Sequence, residues 1–483
     1  MQWWMFQRTI HISWYISIVA GAFVLGVVMA QWLSAGRSIM WLGCGLVLFV
    51  LVATKRYVWM IPLAISAGLL LGLWRGSGDY ASRAVYDYIR GRQVVISGVV
   101  ADDVDKGKKG ETVLRLSELA RNNRTLPGKL WVTGYTSIDI KRGDMVVVTG
   151  NLQQGFGTFE GVIYRATVVS VQRPQPGDVA RQVRDWFADT IRRVIPEPQA
   201  ALGIGFLLGQ RRELPPDLDQ ALQIAGLTHI VVASGYNLTI LVRIARRLFV
   251  SVSKYLSALS ATLMITSFVA MTGASPSMTR AGLVSGLSLA AWYYGRSFHP
   301  LVLLPFAAAI TVAVNPSFAW NDIGWQLSFA AFAGVMILAP LVHRYFFGES
   351  KPGFLRQIAT ETISATIMTL PILIVSFGQV SNVAIVANIL IVPLVPLAML
   401  LTFVAGVFVV VFPAGAYVVG MLAHSLLLYM TSVAEFLSKI PWAVSEVNVS
   451  PWIAVLIYAV IISVIAYMWR ATQYSFRDTN IVE

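Results

Sequence analysis

Three polar side chains stand close together in an otherwise apolar run. His229, Ser234 and Asn237 lie within "GLTHIVVASGYNLTILV", with Gly235 among them. A serine near a histidine raises the chemistry of a nucleophile and its base. On an unbroken helix, five residues turn the side chain by about 500°, which leaves His229 and Ser234 roughly 140° apart. They face each other only if the helix breaks at Gly235. No acidic residue stands nearby to orient the imidazole, as a triad needs. The other chemistry open to such groups is the lining of a wet path. Polar side chains in lipid are expensive and usually face a protein interior or an aqueous cavity. A buried histidine bonded to a neighbour is the structural alternative.

Further polar groups interrupt other apolar segments. In "TGASPSMTRAG", Arg280 can snorkel to the interface or meet phosphates in an aqueous path. In "NPSFAWNDIGWQLSFAA", Asn315, Asp322 and Gln326 are candidate lining residues. Asp322 also suits a helix N-cap, and Gln326 calls for an interhelical partner. In "NVAIVANILIVPLVPLAML", Asn388 precedes Pro393 and Pro396, which predict a kink or a pair of half-helices. Upstream, "ALGIGFLLGQRRELPPDLDQALQIAG" is too short and interrupted for a full span. It reads as a half-helix that dips in and returns, which membranes tolerate only beside protein or a water-filled cavity.

Metal and cofactor chemistry find little support. The five histidines, His11, His229, His299, His343 and His424, are scattered, so no metal cluster is expected. Cys44 is the single cysteine. There is no Gly-x-x-x-x-Gly-Lys-Ser/Thr phosphate loop. The expectation is a protein without cofactor or metal and without enzymatic activity of its own.

The elements that must position these groups are membrane helices. Apolar residues make up 56% of the chain and charged ones 13%, which excludes an ordinary soluble domain. Apolar runs cover 14–33, 39–54 and 58–74, then 227–249, 255–271, 279–294, 301–314, 323–342, 358–377, a broken 382–412, 414–436 and 453–468. That predicts about twelve spans. The net charge is +13. Arg8, Arg56, Arg243, Arg246, Arg247, Lys254, Arg296, Arg344, Lys351, Arg356, Arg470 and Arg477 fall in alternate loops, with Arg37 a weak exception. The bias of basic residues to the inside then makes both termini cytoplasmic and puts residues 90–173 outside, in a multi-pass membrane protein.

Residues 93–171 alternate like strands, in "QVVISGVVADD", "ETVLRLSEL", "GKLWVTG", "DMVVVTGNL" and "EGVIYRATVVSV". Five short strands suit a closed OB-like barrel. Lys129, Trp131, Tyr135, Phe156, Phe159 and Tyr164 are candidates to hold an unpaired strand there by stacking and charge. Alternatively the aromatics fill the barrel core or rim. Residues 178–195 form an amphipathic helix, read as lying in the membrane interface. The domains expected are thus a three-span segment at 1–75, the barrel at 90–173, that helix, a membrane domain at 199–470 and a cytoplasmic tail at 471–483.

The order of these parts resembles the ComEC/Rec2 family of competence proteins. The likeness rests on the three leading spans, the barrel, and "ALGIGFLLGQRRELPPDLDQALQIAGLTHIVVASGYNLTILV", "GASPSMTRAG", "NPSFAWNDIGWQLSFAAFAGV" and "ANILIVPLVPL" in sequence. The resemblance implies a channel passing single-stranded DNA into the cytoplasm during natural transformation. It implies a DNA receptor, a separate nuclease and a cytoplasmic ATP-driven motor as partners, in a lipid bilayer. Where the family motif usually reads Ser-Gly-Leu-His, this chain has Ser234-Gly235-Tyr236-Asn237. Asparagine keeps hydrogen-bonding capacity but does not titrate. The chain ends at Glu483 without the metallo-β-lactamase-like domain of many members, so it is expected not to degrade the second strand. Other readings are an intramembrane hydrolase or transferase using His229, Ser234 and Asp322, a small-solute transporter, and a scaffold.

Overall fold

The computed structural model describes residues 9, 11–33, 38–55, 57–107, 110–210, 214–231, 234–273, 276–295, 299–350, 353–447 and 449–474. Of the basic loop residues, Arg8, Arg37, Arg56, Arg296, Lys351 and Arg477 lie outside these. So does most of the expected tail.

Helices α1 (Ile12–Met29), α2 (Ile39–Lys55) and α3 (Ile61–Arg83) lead into the sheet region. Its strands are β1 (Gln93–Val100), β2 (Asp105–Lys106), β3 (Thr112–Arg121), β4 (Arg124–Leu126), β5 (Lys129–Gly134), β6 (Met145–Gln154), β7 (Phe159–Ile163) and β8 (Thr167–Gln172). Then come α4 (Val179–Arg192), α5 (Gln199–Leu208), α6 (Pro216–Ile224), α7 (Thr228–Val231), α8 (Gly235–Phe249), α9 (Lys254–Met271) and α10 (Pro276–Tyr293). They are followed by α11 (Pro300–Val314), α12 (Phe318–Asn321), α13 (Ile323–Ala333), α14 (Ala339–Phe347) and α15 (Phe354–Phe377). The rest comprises β9 (Gln379–Ser381), α16 (Ala384–Ile391), α17 (Val395–Val411), α18 (Pro413–Ser438), β10 (Val444–Glu446) and α19 (Pro451–Thr472).

The chain divides into two compact units, Met1–Val179 with Leu301–Gln326, and Ala180–Pro300 with Leu327–Glu483. In the first, α1 and α3 pack backbone to backbone. Gly68, Gly72 and Gly76 recur every fourth residue along α3, the small-residue spacing that lets membrane helices touch. A Cβ added to Gly72 would lie 2.1 Å from the Phe23 carbonyl oxygen. Arg75 donates to the carbonyls of Ala313 (2.8 Å) and Val314 (2.9 Å), which satisfies the C-terminal end of α11.

The strands form a closed ring in the order β1-β3-β5-β7-β6, completed by β1 pairing with β6. Only β5 and β7 run parallel. This fits an OB-like barrel. The fifth expected strand is in fact two, because Arg165 takes a left-handed φ of 52°. β7 closes the ring, and β8 continues the pairing along β6, from Met145 to Thr149. Inward residues such as Ile96, Leu114, Leu116, Leu130, Val148 and Ile163 fill the core. Below it, buried Tyr86 donates to the Pro127 carbonyl at 2.6 Å. Arg83, at the end of α3, pairs with both Asp79 and Glu160.

In the second unit, all ten residues of α5 are buried. It packs on α17 and α18 and stops at Gly209, whose φ of 75° suits glycine. At about 15 Å it is half the thickness of a bilayer core. Helix α4 lays Phe187 and Ile191 against Gly406 of α17, while Val179, Val183 and Trp186 stay exposed. Its apolar face is therefore split between the bundle and the surroundings. A 3-10 turn at Val392–Leu394 divides α16 from α17, where the prolines stand.

Eight helical stretches among the described residues are long and apolar enough to cross a membrane. Four of the expected twelve, in α2, α8, α10 and α11, do not reach that standard of length and hydropathy. At 15 residues, α8 is about 22 Å long, and it carries Arg243, Arg246 and Arg247.

Candidate functional site

The run from α5 to α8 is a chain of short helices. The helix expected over 227–249 is broken: α7 ends at Val231, and α8 starts after Ser234. Ser234 is the N-cap, accepting from the Asn237 backbone N–H at 3.3 Å. Its hydroxyl donates to Asn237 Oδ1 at 3.1 Å. Asn237 has no exposed surface. Its amide donates to the carbonyl of Phe206 (3.1 Å) in α5 and of Ile230 (3.3 Å) in α7. One side chain thus satisfies every hydrogen bond it can offer inward and ties three helix ends together. The void beside it is apolar, lined by Leu202, Phe206, Leu222, Leu227, Ile230, Ile391 and Met430.

His229 and Tyr236 behave differently. Each keeps an exposed side chain. The Gly226 backbone is within reach of the His229 ring. Glu361 of α15 and Arg243 of α8 act electrostatically on the Tyr236 hydroxyl. Gln357 donates to Glu361 at 2.8 Å. Arg243 is exposed and Glu361 half-buried. Gly235 is half-buried, and a Cβ there would lie 3.1 Å from that of Ala281.

The other candidates are distributed along the bundle. Arg280 is 3% exposed on α10, so its head group does not reach the protein surface. Asn388 is buried on α16, and its Oδ1 has no hydrogen-bond partner among the described residues. In the first unit, Asn315 Oδ1 accepts from the Ser317 hydroxyl at 2.8 Å and its backbone N–H at 3.2 Å. Asp322 caps α13, accepting from the Trp325 N–H at 2.9 Å. Gln326 is half-buried, and no hydrogen bond of its amide is found among the described residues.

On the barrel, none of the candidate aromatics belongs to the core cluster. Trp131, Phe156 and Phe159 form one group, with ring centroids 5.2 to 5.5 Å apart. Lys129 and Trp131 share the outward face of β5. Tyr135 and Tyr164 are exposed beyond the ends of β5 and β7. Glu160, beside Phe159, has its pKa raised by burial, against the lowering pull of Arg83.

A family model described as competence protein matches residues 206–472, more than half of the chain. The chain belongs to the competence protein family. A curated relative, ComE operon protein 3 of Bacillus subtilis (strain 168), is 27% identical over 218 residues, covering 44% of this chain and 27% of the relative. The chain therefore matches about a quarter of that relative's length. No solved structure matches. All nine membrane candidates fall in the competence region, and the barrel precedes it. Within this competence protein, the motif residues Ser234 and Asn237 organise helix ends, while Tyr236 lies within electrostatic reach of Arg243 and Glu361. Those three were not foreseen. Tyr236 carries a signal in its departure from the family leucine, and Arg243 reads from sequence only as a loop charge.

Proposed function

We propose that this competence protein is the inner-membrane conduit through which an unpaired DNA strand enters the cytoplasm during natural transformation. In this reading it performs no reaction and needs no cofactor. A DNA receptor delivers the strand, another protein degrades its complement, and a cytoplasmic ATP-driven motor draws it in. The barrel, outside, receives the strand on its aromatic face. Both termini are cytoplasmic.

The observation that carries the reading is the interrupted run α5–α8. Non-spanning helices at membrane depth are tolerated where protein or water satisfies their ends, and Asn237 satisfies them here with the exposed side chains of His229 and Tyr236 alongside. Ser234, Gly235 and Asn237 then shape the passage instead of lining it. His229, Tyr236, Arg243 and Glu361 line it. Buried Arg280 and Asn388 supply polarity further along. Asn315 and Asp322 support the first unit's helix ends. Mixed charge suits a conduit that must bind a polyanion weakly enough to let it go.

The test is entry of labelled DNA into cells lacking the gene, then complemented with variants at matched membrane levels. Loss of cytoplasmic strand on deletion, and a several-fold reduction for Arg243→Glu, are expected. Normal entry without the gene refutes the conduit. Normal entry with Arg280→Ala removes Arg280 from the path.

A further inference from the structure

The outer face of β3 and β5 carries a charge pair that the conduit reading does not use. Arg115 stands directly opposite Trp131 in the ladder. Its guanidinium carbon lies 5.2 Å from the centre of the Trp131 ring, close enough for a cation–π contact. Phe156 packs against the same indole, with half of its own surface open. An edge of the guanidinium is taken by Asp105, with Nη2 to Oδ2 at 2.6 Å. Asp105 sits on the two-residue strand β2, held in place by pairing with Val113 of β3.

A stacked arginine beside open aromatic rings has the make-up of a site for a base and its phosphate. A carboxylate and a phosphate compete for the same planar fork of donors. We propose that Asp105 is a built-in competitor for the phosphate of an unpaired strand at Arg115, which keeps binding on this face weak and quickly reversible. The proposal rests on the strand-handling role given above. The competing pair is half-exposed, with side-chain accessibilities of 25% and 32%. Pairs that open to water contribute little, so removing Asp105 tightens binding by about two- to fivefold, not by orders of magnitude. A lipid anchor would gain nothing from this arrangement, because a charge pair at its centre opposes insertion.

The experiment uses the full chain in phosphatidylcholine nanodiscs with a fluorescent oligo-dT, read by anisotropy across a salt series. Asp105→Asn is expected to bind about two- to fivefold tighter and to depend more steeply on salt, since Arg115 then neutralises a phosphate without first releasing a carboxylate. Asp102→Asn removes the same charge three residues upstream of Asp105 and should gain much less. Combining Asp105→Asn with Arg115→Ala should return affinity to that of Arg115→Ala alone. The idea is overturned if Asp105→Asn binds no tighter, if Asp102→Asn matches it, or if its gain persists without Arg115. It is also overturned if Arg115→Ala and Trp131→Ala leave binding unchanged while brominated lipid quenches the wild-type tryptophans. These outcomes concern the barrel face alone. Loss of DNA entry on gene deletion still decides the conduit separately.

Discussion

Replacing Asn237 probes the junction of α5, α7 and α8. Asn237→Leu keeps the branched shape, with somewhat more bulk, but removes both amide donors and the acceptor for Ser234. The Phe206 and Ile230 carbonyls then lose the partners that hold them at 3.1 and 3.3 Å. Each hydrogen bond is worth about 1 kcal/mol net, and an orphaned buried acceptor costs about 1–3 kcal/mol. Water offers little rescue. The adjacent void leaves a water centre about 10 Å³ of room, at the lower limit for holding one, and its walls are apolar. The expected loss is therefore about 2–4 kcal/mol. Asn237→Asp should lose more, because it also buries a charge. Asn237→His, which restores the family residue, keeps one donor and should recover part of the loss. The measurement is unfolding of the detergent-solubilised protein in a denaturing-detergent titration, with DNA entry normalised to folded protein. If Asn237→Leu lies within about 0.5 kcal/mol of wild type, the tie between helix ends does not hold this junction together. If its entry rate per folded molecule is unchanged, Asn237 is purely structural.

Gly72→Ala should push α1 from α3, because its Cβ meets the Phe23 carbonyl. A loss of about 1–3 kcal/mol or more is expected, whereas Gly21→Ala, with nothing within 4 Å, should be silent. Folded yield by fluorescence-detected size exclusion distinguishes them. Glu160 gives a pH signature. Burial raises its pKa, so its share of stability is full below the ordinary carboxylate value and is lost as pH rises through the raised one. Wild type should therefore gain stability relative to Glu160→Gln on acidification through that window, and parallel pH curves for unfolding would contradict the assignment. Around Tyr236, Glu361→Gln should leave DNA entry unchanged or speed it, while Arg243→Glu slows it. The reverse order would mean that the two charges do not face a passing polyanion.

Apolar runs and period-two alternation carry the architecture in plain view, because burial in lipid or in a barrel imposes them residue by residue. The split between β7 and β8 does not show, since it depends on Arg165 accepting a left-handed backbone, which any polar turn residue can do in context. The break before α8 is half legible: Gly235 permits it, but only the partners decide it. Asn237 reaches across 31 residues to Phe206 and seven to Ile230, and no local spacing encodes such a contact. The same holds for Arg115 and Trp131, which face each other only once β3 and β5 settle in register. A polar residue in a greasy segment marks a place where the membrane interior must be satisfied by something. Whether it meets a helix end, as Asn237 does, or stays exposed, as His229 and Tyr236 do, is fixed by where neighbouring helices stop. The sealed asparagine follows from the same construction: helices too short to cross leave ends that must be capped, and Asn237 caps them from within the chain.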